Sequence, residues 1–300
     1  LLMTRLKNGS SSSGRDGEFS NKPVEMGLSM AAEDWRDIWE MANSHSPYRT
    51  FPVDRQRLVQ HWNEVSKDYD SESMSLIDER IWGLLEDMSV VPGGNALDIG
   101  CGTGSLTSML ASKCSHVLGL DISPGMLSVA KGRCSSLNNV ELLCQGWEEF
   151  LPERRYDLVF SCFCPAVDDL RSVMRMDSMS DGTCCIVSLG GSSGDRLAFD
   201  IWEELGHPGM SMEGFDPIFP YRILKEMDRR PSLRRFDVHE ETEMAAEDMV
   251  RHLVRYFSLF HEVDGRVEKV IADHVERRSD GRRFTLREDR TVSVLRWTTD

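Results

Sequence analysis

From residue 95 onward, short apolar runs alternate with segments whose apolar positions recur every three to four residues, the pattern of strands feeding helices. It predicts strands over Asn95 to Ile99, His116 to Leu120, Val140 to Cys144, Tyr156 to Cys162 and Thr183 to Leu189. Strict alternation of strand and helix implies a parallel sheet built by right-handed crossovers. Before it, helices are predicted over Ala31 to Ser44, over Asp54 to Tyr69, and over Glu72 to Met88. The second carries Leu58, Val59, Trp62 and Val65 on one face; the third carries Leu76, Ile77, Ile81 and Leu84. Pro47 and Pro52 separate the first two, and Pro92 with Gly93 stops the third.

After Gly190 the pattern changes. A Gly/Ser segment, Gly190 to Gly194, leads into a short helix around Leu197 to Leu205 and then a loop, His207 to Pro220, with little periodicity. A helix over Tyr221 to Met227 and a strand over Leu233 to Val238 follow. Helices over Glu241 to Phe260 and Arg266 to Arg277 meet near Asp264 and Gly265, and Thr291 to Trp297 alternates as a final strand. Residues 1–29, rich in Ser, Gly and charge, read as a disordered or artificial leader outside the fold.

The chemistry concentrates at residues 96–104, Ala-Leu-Asp-Ile-Gly-Cys-Gly-Thr-Gly, where a strand turns into a helix through alternate glycines. Gly100, Gly102 and Gly104 remove side chains where the backbone turns and a ligand can lie against it. The dinucleotide fingerprint Gly-x-Gly-x-x-Gly does not fit: counting from Gly100 its third place is Ser105, and from Gly102 it is Thr107. Asp98 puts negative charge where a pyrophosphate would be repelled and an ammonium attracted. S-adenosylmethionine carries that ammonium and no phosphate. A second acid, Asp121, ends the next strand about 20 residues on, where it can accept from both ribose hydroxyls. Ser123 then caps a helix with Pro124 in its first turn.

The segment Val-Leu-Gly-Leu-Asp-Ile-Ser-Pro-Gly-Met-Leu, residues 117–127, together with the glycine loop, resembles the class I S-adenosylmethionine-dependent methyltransferases. The resemblance runs from about Asp54 to Gly190. It implies an α/β, Rossmann-like fold: a seven-stranded, mostly parallel sheet with helices on both faces and the last strand antiparallel between the fifth and sixth. The Leu233 and Thr291 strands would be the sixth and seventh. Residues 30–92 would be N-terminal helices covering the cofactor site. Residues 93–300 would be the methyltransferase domain, with the insertion 191–220 and the helical pair 241–278 as substrate cover.

The expected cofactor contacts are Gly100, Cys101, Gly102 and Gly104 for the methionine end, with Asp98 near its ammonium group and Asp121 on the ribose. By resemblance, Trp147 and Glu148 frame the adenine, Trp147 by its backbone amide or as an aromatic wall and Glu148 by accepting from the exocyclic amine; Ile122 packs on the other face. The end of the fourth strand, Ser161-Cys162-Phe163-Cys164-Pro165, faces the transferred methyl in that family, so Cys162 belongs to the cofactor set and Cys162 and Cys164 are acceptor-side candidates. His207, as base or orienter, and Tyr221 are the others. These cysteines read as small buried thiols and no metal is expected; the alternative, a soft-metal site, would need a third sulfur from Cys184 or Cys185. His252, His261 and His274 are assigned no chemistry.

The Asn/Asp-Pro-Pro-aromatic pattern of enzymes that methylate planar amide or base nitrogens is missing after the fourth strand. With a net charge of −15 this argues against a nucleic acid substrate and for a small-molecule acceptor, with a protein segment as the lesser option. Arg229, Arg230, Arg234 and Arg235 form a basic cluster, read as a solvated edge paired with carboxylates. No apolar run is long enough to span a bilayer, and the eight cysteines show no disulfide framework, which fits a cytoplasmic protein with free thiols. The alternative function is a non-catalytic S-adenosylmethionine-binding or scaffold protein.

Overall fold

The computed structural model describes residues 30–70, 72–91, 93–190 and 196–299. The leader 1–29 and the start of the insertion, 191–195, lie outside the described residues. Four helices come first: α1 (Met30–Asn43), α2 (Pro47–Thr50), α3 (Arg55–Val65) and α4 (Glu72–Asp87). Pro47 does more than separate neighbours, because it opens the single turn of α2 behind the N-cap Ser46. The alternating part runs β1 (Asn95–Ile99), α5 (Ser105–Ala111), β2 (His116–Asp121), α6 (Pro124–Arg133), β3 (Val140–Cys144), β4 (Tyr156–Cys162), α7 (Leu170–Met179) and β5 (Ser180–Gly190). Then come α8 (Arg196–Glu204), α9 (Ile218–Glu226), β6 (Ser232–Ala245), α10 (Ala246–Ser258), α11 (Gly265–Arg278) and β7 (Arg283–Thr298).

The seven strands pair in the order β3-β2-β1-β4-β5-β7-β6. Strands β1 to β5 are parallel, while β7 runs antiparallel between β5 and β6. Side chains of successive strand residues enter opposite layers. Leu97, Val159, Cys184, Ile186, Leu295 and Trp297 pack into one core, and Ala96, Leu158, Phe160, Cys185, Val187, Val292 and Val294 into the other. Burial on both faces explains why these strands read as continuous apolar runs. A third core, with Trp202, Leu253, Phe257 and Ile271, joins α8, α10 and α11 into a cap.

Two expectations need correction. Residues 241–245, predicted as helix, extend β6, and α10 begins at Ala246. The β6–β7 pairing continues from Ser232↔Arg296 to Ala245↔Arg283, so ladder hydrogen bonds override the helix propensity of Glu241, Glu243 and Met244. The loop predicted to reach Pro220 contains a 3-10 turn, Glu213–Phe215, and ends earlier, because α9 begins at Ile218. Pro220 is tolerated in the first turn of α9, where its missing N–H would have no partner. The basic cluster is largely paired: Arg229 grips Asp177 at 2.7 and 3.1 Å, Arg235 grips Asp216 at 2.7 and 3.0 Å, and Arg234 lies 4.0 Å from Asp87.

Candidate cofactor and acceptor site

The carboxyl ends of β1, β2 and β4 converge on the glycine turn. Gly100 and Gly102 adopt φ of +70° and +53°, a region costly for any residue with a Cβ. Their surroundings differ. A Cβ at Gly100 would lie 2.5 Å from Cys164 Sγ, whereas at Gly102 it would meet nothing within 4 Å. The turn is therefore packed from behind at Gly100 and open at Gly102. Cys101 ties the turn to β2 by donating its N–H to Leu120 O at 2.9 Å. Its side chain points into the sheet, since a Cβ at Gly119 would lie 3.0 Å from Cys101 Sγ. A ligand could meet Cys101 through its backbone.

Asp98 is only 2% exposed, and Thr107 Oγ1 donates to its carboxylate at 2.6 Å. Burial pushes its pKa up to about 7, against the pull of the Thr107 hydrogen bond. Asp121 lies at the tip of β2 and accepts from Gly102 N at 3.0 Å and Ser123 N at 2.8 Å. Burial raises its pKa while those amides oppose the shift. Ser123 caps α6 through Met126 N at 3.0 Å, which fixes the residue after the acid.

Beyond β3 the chain passes Gly146, around which Ile122 Cγ2, Glu148 Oε2 and Arg55 Nη2 gather at 3.5–3.6 Å from the position of an added Cβ. Ile122 and Glu148 thus share one groove. Trp147 is different: its ring is buried in the core beneath the Arg175 guanidinium, 4.4 Å from the ring centroid. Arg175 also donates to Trp147 O and Phe150 O. The indole is turned inward and packs in the core.

Helix α3 and the residues flanking it are fastened to the glycine turn, to α6 and to the segment after β3. Asn63 Oδ1 of α3 accepts from Gly125 N at 2.7 Å and from Ser123 Oγ at 2.8 Å. Asp70 accepts from Thr103 Oγ1 at 2.7 Å and from Arg133 Nη2 at 2.7 Å. Arg55 pairs with Glu149. Tyr69, next to Asp70, keeps some accessible surface although burial raises its phenol, with Cys162, Asp78, Asp70 and Asp121 adding to the shift.

On the acceptor side the chain has already turned at Phe163, whose φ of +48° is a strained value for an aromatic residue. The turn brings Cys164 onto Gly100 and leaves Cys162 at the end of β4. Burial pushes the Cys164 thiol up to about 12 and the Cys162 thiol well above its usual range. Tyr48 reaches across from α2, with ring centroids 5.1 Å from Phe260 and 6.0 Å from Phe215. Burial raises its phenol, and Tyr256 and Cys164 add to the effect. His207 stacks edge-on against Phe51 at 4.9 Å and Trp202 at 5.7 Å, within the aromatic packing of the cap. Tyr221 is partly buried against the core that holds Trp39 and Ile223. Among the described residues no group of three His, Cys, Asp or Glu could hold a metal ion.

Residues 96–176 match the family model described as a methyltransferase domain. The segment from β1 into α7 is thus a methyltransferase domain, of the kind that the glycine turn and Asp121 resemble. Several curated methyltransferases resemble it. Demethylmenaquinone methyltransferase of Tropheryma whipplei is 28% identical over 134 residues, 43% of this chain and 54% of the relative. Malonyl-[acyl-carrier protein] O-methyltransferase of Acetivibrio thermocellus is 33% identical over 114 residues, 36% of this chain and 39% of the relative. Aklanonic acid methyltransferase DauC of a Streptomyces species is 27% identical over 215 residues, 66% of this chain and 90% of the relative. The chain spans about half the length, or less, of the first two relatives. Among solved structures, the YcgJ protein of Bacillus subtilis is 14% identical, with a TM-score of 0.49 over 73% of this chain and 98% of that one. The domain match ends inside α7, so the α8–α10–α11 cap lies beyond it. No described helix is long and apolar enough to cross a membrane.

Proposed function

We propose that this methyltransferase transfers the methyl group of S-adenosylmethionine to a small-molecule acceptor held between the strand ends and the α8–α10–α11 cap. The carrying observation is the asymmetry of the glycine turn: Gly100 is filled from behind by Cys164, and Gly102 presents bare backbone to open space. The residues fit the cofactor. Asp121 has lone pairs left for ribose hydroxyls after binding two amides, and Ile122 with Glu148 offers an apolar face and an acceptor to adenine. Gly100, Cys101, Gly102 and Gly104 would meet the methionine end through their backbone, and Cys162 would flank the sulfur.

When bound, S-adenosylmethionine supplies an already activated methyl group, so the acceptor needs a lone pair in line and the enzyme needs no covalent nucleophile. The residues around β4 suit that division of labour. Cys162, Cys164, Tyr48 and Tyr69 are all pushed toward their neutral forms by burial, so they can pack and donate hydrogen bonds but are poor bases at neutral pH. His207 and Tyr221 belong, on this reading, to the packing around the acceptor pocket. The lid of α1–α4 and the cap exclude water, and α2 joins them through Tyr48. Relatives named for demethylmenaquinone and aklanonic acid support a small acceptor, and one named for malonyl-[acyl-carrier protein] is consistent with a small acyl group carried on a protein. Eight free thiols fit a reducing, cytoplasmic setting.

Incubation with methyl-labelled S-adenosylmethionine and fractionated cell extract tests the proposal. Label entering a low-mass fraction is the expected result. Cofactor binding with no transfer to any fraction would instead favour a scaffold that retained the cleft.

A further inference from the structure

Two carboxylates, Asp98 and Asp78, lie beside the glycine turn and the start of α5. Asp98, the acid that the sequence offers for the ammonium group, lies behind the glycine turn, almost fully buried and already bonded to Thr107. Asp78 lies on α4 and is not fully buried. α4 packs on α5, and Ser105, the first residue of α5 and the next after Gly104, hydrogen-bonds the Asp78 side chain. Asp78 is also near enough to Cys162 at the end of β4, and to Tyr69 at the end of the α3 segment, to act on both electrostatically. It therefore stands where the glycine turn, the end of β4 and the lid meet, and it retains accessible surface.

Among the described residues, Ser105 and Arg133 are the groups that favour its charged form. Arg133 is the cation in reach, and its guanidinium is held by Asp70 and Thr103. Burial raises the Asp78 pKa, with Asp70 adding to the rise and Ser105 and Arg133 opposing it. A carboxylate in that position gains from a cationic ligand more than a fully hydrated one would. We infer that Asp78, rather than Asp98, pairs with the α-ammonium group of the cofactor's methionine end. This assignment rests on the methyltransferase reading above, and it makes the lid helix α4 part of the cofactor site.

Calorimetric binding of two probes to the full chain tests it. S-adenosylhomocysteine carries the amino-acid end, and 5′-methylthioadenosine has the same nucleoside and thioether without it. The wild type should bind S-adenosylhomocysteine more tightly than methylthioadenosine. Asp78→Asn keeps an acceptor for Ser105 and should weaken S-adenosylhomocysteine by about tenfold or more, the range for a hydrogen bond to a charged group, with methylthioadenosine unchanged. Asp98→Asn should preserve the difference between the probes. Equal weakening of both probes by Asp78→Asn would mark a structural role and overturn the assignment, as would wild-type affinity for both. A wild type that binds neither probe would overturn the methyltransferase reading and this assignment together.

Discussion

Asp121 serves the glycine turn before it serves any ligand, because its two oxygens already hold Gly102 N and Ser123 N. Asp121→Ala should therefore weaken S-adenosylhomocysteine by about 1–3 kcal/mol in a calorimetric titration; unchanged affinity would remove Asp121 from the site. Asp98 makes a different prediction. Its folded pKa of about 7 lies above the unfolded value near 4, so the native state holds this proton longer than the unfolded chain does. Its favourable contribution is full below about pH 4 and is lost as pH rises to about 7. Asp98→Asn has no such proton to lose and keeps an acceptor for Thr107. Its melting temperature should gain on the wild type between pH 4 and 7 and level off above, measured without ligand; a gap independent of pH would contradict the buried charge. At this scale the sequence exposed Asp98, Asp121 and the glycines because their order and spacing are local. Tyr48, Tyr69 and Asp78 carried no such signal. They lie far from the motif in sequence, and only the docking of α2, α3 and α4 brings them to it.

Helix α3 and the residues after it form a lid held by short polar contacts, not by a continuous core. The Asp70–Arg133 pair is part-exposed, and such pairs contribute about 0.5–1 kcal/mol. Arg133→Ala also removes donors from Thr103. It should speed S-adenosylhomocysteine release by about two- to fivefold, the rate equivalent of that energy, in a stopped-flow displacement experiment. An unchanged release rate would mean that the latch plays no part in retaining the ligand. Elements β1, β2, β4 and β5 were readable because both faces are largely buried and the runs are mostly apolar, and the edge strand β3 because Val140, Leu142 and Leu143 still make a short apolar run. The outer half of the β6–β7 ribbon was not. His239 to Ala245 is mostly exposed and rich in Glu, so no hydrophobic face marks it as strand, and its pairing with Arg283–Asp289 is set by the partner strand. The antiparallel position of β7 was legible through the family resemblance, while its length was not.

The molecule places three cores around one cleft. The sheet's two cores rigidly present the ends of β1, β2 and β4, and the third core holds the cap. Lid and cap meet at Tyr48 and Phe51, whose rings touch Phe260 and Trp202. On the proposed reading, this arrangement separates a cofactor end, lined by acids and backbone, from an acceptor end lined by aromatic rings and neutral thiols. The arginines near β6 brace α7 and the loop before α9 through Asp177 and Asp216, which leaves no broad cationic face among them. The division of the cleft rests on where the nucleoside lies. A crystal structure of the full chain grown with S-adenosylhomocysteine measures that directly. The account predicts a thioether passing over Gly102, ribose hydroxyls on Asp121 and adenine between Ile122 and Glu148; a nucleoside bound elsewhere, or side chains filling the space above Gly102, would contradict it.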